Sequence, residues 1–431
     1  MKTTKRLRAM FIAALAVSAT TRAIEPANRH ASESARKVLS YLHDLPNRSE
    51  NRIISGHFAG GSVGPNNKGD QGYYKFTLKE VEELHALTGQ WVGLIGADYC
   101  VGFMDCPNPI ETTMYYKEMN KLLIDHWKAG GLVAITTHQF DPRELYKDGG
   151  QCFPNQLPKG MERLDVSRVY TPGTEEYDNF RVIMDCWCEG FQELEDHGVV
   201  VLWRPLNEAR DGKWWCAVPV EQYKKLYRYI FDYMTRTKGL DNLLWVYDSS
   251  GGGGKPPKTY TPAPEAEQPT EGEGNRAKEE NRAKDVSRAK GQDGGRLPRE
   301  VYVAPREMDL YYYPGDDCVD IIGYTMNWDS GENKDKVRPL PQKVFACIEF
   351  NVRTAPEDMR LGKPRNYDYA KKFNWVKENL PYSSYFMSWF RIWGPSARGT
   401  PESVKAMYND PAVANRGELN WRDVQLAKPS R

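Results

Sequence analysis

Val199-Val200-Val201-Leu202-Trp203-Arg204-Pro205-Leu206-Asn207-Glu208 is apolar for five residues and then abruptly polar. A short β-branched run without alternation fits a strand buried on both faces, the kind found in parallel sheets. Working outward, similar runs recur at Ile53 to Phe58, Trp91 to Asp98, Leu132 to His138, Leu243 to Asp248, Val319 to Thr325, Val344 to Glu349 and Tyr385 to Phe390. With Val199 to Asn207 they make eight. Amphipathic helical patterns lie between them at Leu78 to Leu87, Thr113 to Ala129, Glu175 to His197, Val220 to Lys238 and Tyr367 to Asn379. Alternation of this kind predicts a parallel sheet, and eight repeats predict a single (β/α)₈ TIM barrel with its functional residues at the C-terminal ends of the strands.

Composition narrows the function. Lys and Arg number 59 against 58 Asp and Glu, so a formal net charge of +1 supplies no field for nucleic acid or an anionic membrane. A neutral partner is the expectation, and 12 Trp with 25 Tyr offer planar rings that stack on sugars. Residues 1–23 read as a signal peptide: Lys2, Lys5, Arg6 and Arg8 precede the apolar run Met10 to Val17, and small residues follow. The apolar run is too short to span a membrane. The expected mature protein is therefore a secreted, extracellular, monomeric catalytic domain of residues 24–431, with Asn47-Arg48-Ser49 as a glycosylation acceptor in a eukaryotic host. One stretch interrupts the pattern at about 251–300, where four glycines, Pro-rich and acidic segments and three Arg-Ala-Lys repeats follow one another. Too little apolar surface is available there to offset the entropy of ordering, so it is expected to be a disordered insertion after the fifth strand.

Of eight cysteines, Cys186, Cys188 and Cys347 fall in helix or strand patterns and read as small buried hydrophobes. Cys100 with Cys106, or Cys152 or Cys216 with another loop cysteine, could be bridged. There is no Cys-x-x-Cys and no His-Glu-x-x-His, so no metal or other cofactor is expected.

Two strand ends carry acids. Glu208 closes the fourth run, and Glu349 closes Val344-Phe345-Ala346-Cys347-Ile348-Glu349. A carboxylate at the end of a buried strand is costly unless it is paired or does chemistry, and a barrel brings strands four and seven to one cavity mouth. Two carboxyls there suit glycoside hydrolysis, one protonating the leaving oxygen and the other attacking the anomeric carbon or activating water. Strand alternation sets Arg204 on the face of Glu208, where its charge is expected to keep Glu349 ionised as nucleophile while Glu208 holds its proton as general acid/base. Trp214 and Trp215, on the loop after Glu208, are expected to form a sugar platform.

Arg204-Pro205-Leu206-Asn207-Glu208 followed by Gly212-Lys213-Trp214-Trp215 resembles the acid/base motif of glycoside hydrolase family 26, the β-mannanase type. Further pieces look similar in order: Ser55-Gly56-His57, Thr88-Gly89-Gln90-Trp91 leading to Asp98-Tyr99, His138, Tyr312-Tyr313-Pro314-Gly315 before Asp320-Ile321-Ile322-Gly323, and Glu349. The resemblance implies a retaining (β/α)₈ barrel with Glu208 and Glu349 on strands four and seven. It also implies that His138 lines the subsite beside the cleaved bond and that Trp389 stacks beneath its sugar. The chain departs from that family at Asn207, where His is usual, and on strand six, where Asn327 takes the place of a common Tyr, with Tyr324 nearby. Asn207 is expected to donate to a sugar hydroxyl. The expected activity is endo-hydrolysis of a polysaccharide, β-1,4-mannan first, with β-1,3-xylan or mixed-linkage β-glucan as alternatives and a non-catalytic carbohydrate-binding barrel as an alternative of another class.

Overall fold

The computed structural model describes residues 24–48, 52–61, 76–101, 116–146, 163–208, 213–216, 218–249, 310, 312–326, 340, 342–352, 366–390 and 393–426. Eight strands form the barrel: β1 (Ile53–Phe58), β2 (Leu94–Val101), β3 (Leu132–His138), β4 (Val201–Arg204), β5 (Leu243–Asp248), β6 (Ile321–Met326), β7 (Val344–Phe350) and β8 (Tyr385–Ser388). Each pairs in parallel with the next, and β8 returns to β1 through Ile54 opposite Tyr385 to His57 opposite Ser388. The sheet is thus closed, as the eight buried runs predict.

Three strands, β1, β3 and β5, begin and end where the sequence places them. Strand β4 covers less than the expected Val199 to Asn207: it starts two residues later, and it ends at Arg204, because Pro205 has no N–H to continue the ladder. Strand β2 starts three residues after Trp91, since helix α2 (Lys79–Thr88) ends in a left-handed Gly89 and the chain needs the next residues to re-enter the barrel. Outside the sheet run α1 (Glu33–Asp44), α2, α3 (Tyr116–Lys128), α4 (Glu175–Asp196), α5 (Val220–Asp232), α6 (Tyr369–Asn379) and α7 (Pro401–Tyr408). Helix α4 shows why this register is chosen: Thr174 caps it by accepting from Tyr177 N, and Glu175, Glu176 and Asp178 place negative charge at its N-terminus. Helices α1 and α7 are absent from the sequence reading; each begins with a side-chain cap, Ser32 and Thr400 respectively, that marks its start.

Cys186, Cys188 and Cys347 are buried, as expected of small apolar side chains. Residues 1–23, the segment from Gly251 to Glu300, Asn327, Cys106 and Cys152 lie outside the described residues. No helix among the described residues is long and apolar enough to cross a membrane.

At the N-terminal end of the barrel Asp320 ties three parts of the chain together. Its Oδ1 accepts from Ala27 N and its Oδ2 from Trp245 N of β5, both at 2.7 Å. Burial pushes this carboxyl up to about 6, against the pull of the two N–H donors and Lys343. A folded-state pKa above the ordinary value means that the associated stability is present at low pH and is lost as pH rises through about 6. Asp320→Ala strands both N–H groups and is expected to lower stability by about 2–4 kcal/mol. The midpoint of urea unfolding measures it; an unchanged midpoint would mean that the two donors find other acceptors.

Candidate active site

A register shift aims Glu349. Tyr324 of β6 stands opposite Cys347, but the next residue, Thr325, stands opposite Glu349. One residue of β7 is therefore skipped, and Glu349 shares a face with Thr325 and not with Tyr324. There Glu349 Oε1 accepts from Arg204 Nη1 at 2.8 Å and Oε2 from Asn351 Nδ2 at 3.2 Å. Asn351 is itself fixed, its Oδ1 accepting from Trp389 N at 3.0 Å and its carbonyl from the buried Lys372 of α6. Burial pushes Glu349 up to about 7; Arg204 pulls the other way, while Glu208 and Asp248 add to the rise.

Glu208 is held by different means. It is the one non-glycine among the described residues with positive φ, at 47°, a conformation that costs energy and persists only where its surroundings impose it. Its N–H donates to Asp248 Oδ2 at 2.9 Å, and the same oxygen accepts from Arg204 Nη1 at 3.0 Å. One carboxylate at the end of β5 thus links the Glu208 backbone to the guanidinium that grips Glu349. Cys216 Sγ and Trp215 Nε1 bond the carbonyls of Glu208 and Asn207, at 3.0 and 2.9 Å. The carboxylate accepts from Lys213 Nζ. Burial opposes its charge, but Lys213 overcomes that, with Arg204 assisting, and Glu208 is lowered to about 2. Each carboxyl thus has its own cation: Lys213 draws Glu208 down, and Arg204 opposes the rise that burial gives Glu349.

A third group completes the mouth. His138 Nδ1 meets Asp98 Oδ2 at 2.5 Å, and Asn207 Nδ2 meets His138 Nε2 at 2.6 Å. Assigning the imidazole proton to Nδ1, toward the carboxylate, leaves Nε2 to accept from the amide. Asn207 is fully buried and its Oδ1 has no hydrogen-bond partner. The amide therefore presents an acceptor, and its Nδ2 has a second N–H beside the one directed at His138.

The glycosyl hydrolase family 26 model matches residues 27–260, more than half of the 431, including Arg204 to Glu208. The chain belongs to glycosyl hydrolase family 26. It is 28% identical over 415 residues to a mannan endo-1,4-beta-mannosidase of Bacillus subtilis (strain 168), covering 94% of this chain and 91% of that one. Among solved structures, a Bacillus subtilis mannanase superposes with a TM-score of 0.63 at 24% identity, covering 92% of this chain and 96% of the other. A beta-mannanase from a symbiotic protist of the termite Reticulitermes speratus does so at 0.60 and 21%, covering 92% and 97%. These likenesses establish the barrel, and membership of the family makes the chain a glycoside hydrolase.

Within this family 26 barrel Glu208, Glu349, Arg204, Asn207, His138 and Trp389 come together. Trp389 lies edge-on to His138 with centroids 5.6 Å apart and against Phe58 at 4.4 Å. Trp214 and Trp215 do not join them as a platform. They are 1% and 0% exposed, packed edge to face at 5.2 Å, with their N–H groups spent on the carbonyls of Gln139 and Asn207. Rings enclosed on this scale have no face for a sugar; they brace the loop behind the acid. Tyr324 is also placed elsewhere, stacked on Phe345 at 4.9 Å and bonded to Ser383 Oγ at 3.1 Å. Missed by the sequence reading were Asp248, Asp98, Asn351 and Lys213. Asp248 ends β5, and Asp98 closes the run read from Trp91 although β2 continues to Val101; those positions were their signal. Among the described residues no cluster of His, Cys, Asp and Glu could hold a metal ion.

Proposed function

We propose that this family 26 enzyme is an endo-acting β-1,4-mannanase working by double displacement. The observation that carries the reading is the single network Glu349–Arg204–Asp248–Glu208, which fixes two carboxyls from β7 and the end of β4 around one site. Glu349 attacks the anomeric carbon, and Glu208 protonates the departing oxygen; Glu208, now a carboxylate, then takes a proton from the water that attacks the glycosyl-enzyme. Arg204 stabilises Glu349 as a carboxylate whenever that residue is the leaving group or the waiting nucleophile. Mannan as substrate rests on the names of the relatives, and Trp389 beside His138 supplies an apolar wall for a sugar ring. Secretion rests on the charged-then-apolar order of Lys2 to Ala23 and is part of the same proposal.

A panel of soluble mannan, β-1,3-xylan and mixed-linkage β-glucan, assayed for new reducing ends, tests the reading. Fastest cleavage of mannan is expected; preference for another glycan would reassign the substrate, and no cleavage of any would leave a binding protein.

Asn207 bears on the same question. Its unpartnered Oδ1 suits a hydroxyl donor, and a hydrogen bond to the sugar 2-hydroxyl strengthens as the ring flattens. Asn207→Ala is therefore expected to lower kcat on mannan about 10- to 100-fold with a smaller change in KM. Asn207→His is expected to alter the ratio of kcat/KM between mannan and glucan. An alanine variant with wild-type kcat would remove Asn207 from the reaction.

A further inference from the structure

We propose that Lys213 is a positioning residue that biases Glu208 toward the base half of the catalytic cycle, stabilising the carboxylate that must take a proton from water and opposing the carboxylic acid that must first donate one. The proposal rests on the reading of Glu208 as acid/base and adds a residue with no role in that reading.

Each carboxyl of the pair has its own cation. Arg204 Nη1 is divided between Glu349 and Asp248, whereas Lys213 Nζ bonds Glu208 Oε2. The other charged or titratable groups facing Glu208 come from four strands: His138 of β3, Arg204 of β4, Asp248 of β5, which takes the backbone N–H, and Glu349 of β7. Of all of these only Lys213 gives the Glu208 carboxylate a direct charged hydrogen bond, and Oε1 carries no hydrogen bond among the described residues.

Burial gives that contact its strength. The Lys213 side chain is 1% exposed and that of Glu208 21%, so the ammonium comes from the protein side while the carboxylate keeps an opening to solvent. Little water screens such a pair. The lysine is also locked in place: Cys216 N donates to its carbonyl at 3.0 Å, and the next two residues are the enclosed Trp214 and Trp215, tied to the loops after β3 and β4. Holding a buried cation against the general acid works against the first step, in which Glu208–H gives its proton to the glycosidic oxygen as Glu349 forms the bond to carbon. It assists the second, in which Glu208 removes a proton from water and the bond to Glu349 breaks. The structural reason for a buried lysine here, then, is balance between two steps with opposite demands on one carboxyl.

Lys213→Met and Lys213→Arg in the full chain separate this from simple support of the loop, with Lys213→Gln in reserve should the methionine variant fail to fold. Carboxyl ¹³C NMR, assigned with Glu208→Gln, reads the titration of Glu208 without any substrate. In Lys213→Met it is expected to titrate about one to three pH units higher than in wild type, and in Lys213→Arg close to wild type. Kinetically, Lys213→Met is expected to slow hydrolysis of an activated aryl β-mannoside, limited by the second step, more than cleavage of mannan, limited by the first, and to move the limb of the kcat/KM profile on mannan that Glu208 sets to higher pH. A Glu208 titration that is the same in folded Lys213→Met and wild type would overturn the proposal, as would an equal loss on both substrates with an unshifted pH profile. Failure of wild type to cleave any glycan would defeat the functional reading alone, since the titration still decides what Lys213 does to Glu208.

Discussion

Glu349→Ala is expected to reduce turnover on every substrate by about 10⁴-fold or more, because no other group can form the bond to the anomeric carbon. The loss should appear in kcat and not in folding. Arg204, the cation that Glu349 pairs with, keeps its 3.0 Å contact to Asp248 and its 3.2 Å contact to Thr136 Oγ1, so the variant does not strand a buried charge. Azide, entering the space vacated by the carboxylate, should attack an activated β-glycoside directly and give a product of inverted configuration. Residual mannan cleavage near the wild-type rate would move the nucleophile elsewhere.

Glu208→Ala should fail differently. Cleavage of mannan is expected to fall about 10²- to 10⁴-fold, the range for loss of a positioned proton donor, whereas bond cleavage in an activated aryl glycoside, whose leaving group needs no proton, should be spared. The glycosyl-enzyme then lacks its base, so azide should rescue the second step and yield a product of retained configuration. Removing this carboxylate also deprives the buried Lys213 of its contact, and a fall in Tm is expected alongside the kinetic effect. Glu208→Gln, which keeps an oxygen for that ammonium, separates the two. If the alanine variant loses the same factor on mannan and on the aryl glycoside, Glu208 is not the proton donor.

Much of the architecture is legible in the chain because parallel barrel strands are buried on both faces. Runs such as Leu132 to His138 and Leu243 to Asp248 have no polar alternation to blur their ends, and they match the observed strands. Two of the boundaries that slip have a local cause: Pro205 stops β4, and the left-handed Gly89 delays β2. The two glutamates are legible for the same reason, a carboxylate at the end of an apolar strand.

What surrounds them is harder to read, since it depends on contacts between residues far apart in sequence. Arg204 bridges to positions 44 and 145 residues away. The skipped residue that turns Glu349 away from Tyr324 leaves no mark in the local pattern. Trp214 and Trp215 show the opposite hazard: an aromatic pair beside an acid suggests stacking on sugar, yet the rings are spent on packing while the lysine before them touches the acid. Only the folded structure separates these uses, because both place an indole near the catalytic center.

The central claim is that Glu349 and Glu208 act as nucleophile and acid/base, which requires carboxyls about 5–5.5 Å apart and retention of configuration, against about 6.5–9.5 Å and inversion for a site that must admit water between them. Proton NMR of the first sugar released by wild-type enzyme from a β-linked mannan oligosaccharide tests it most directly. The β anomer should appear first and mutarotate slowly toward equilibrium; initial appearance of the α anomer would contradict the account.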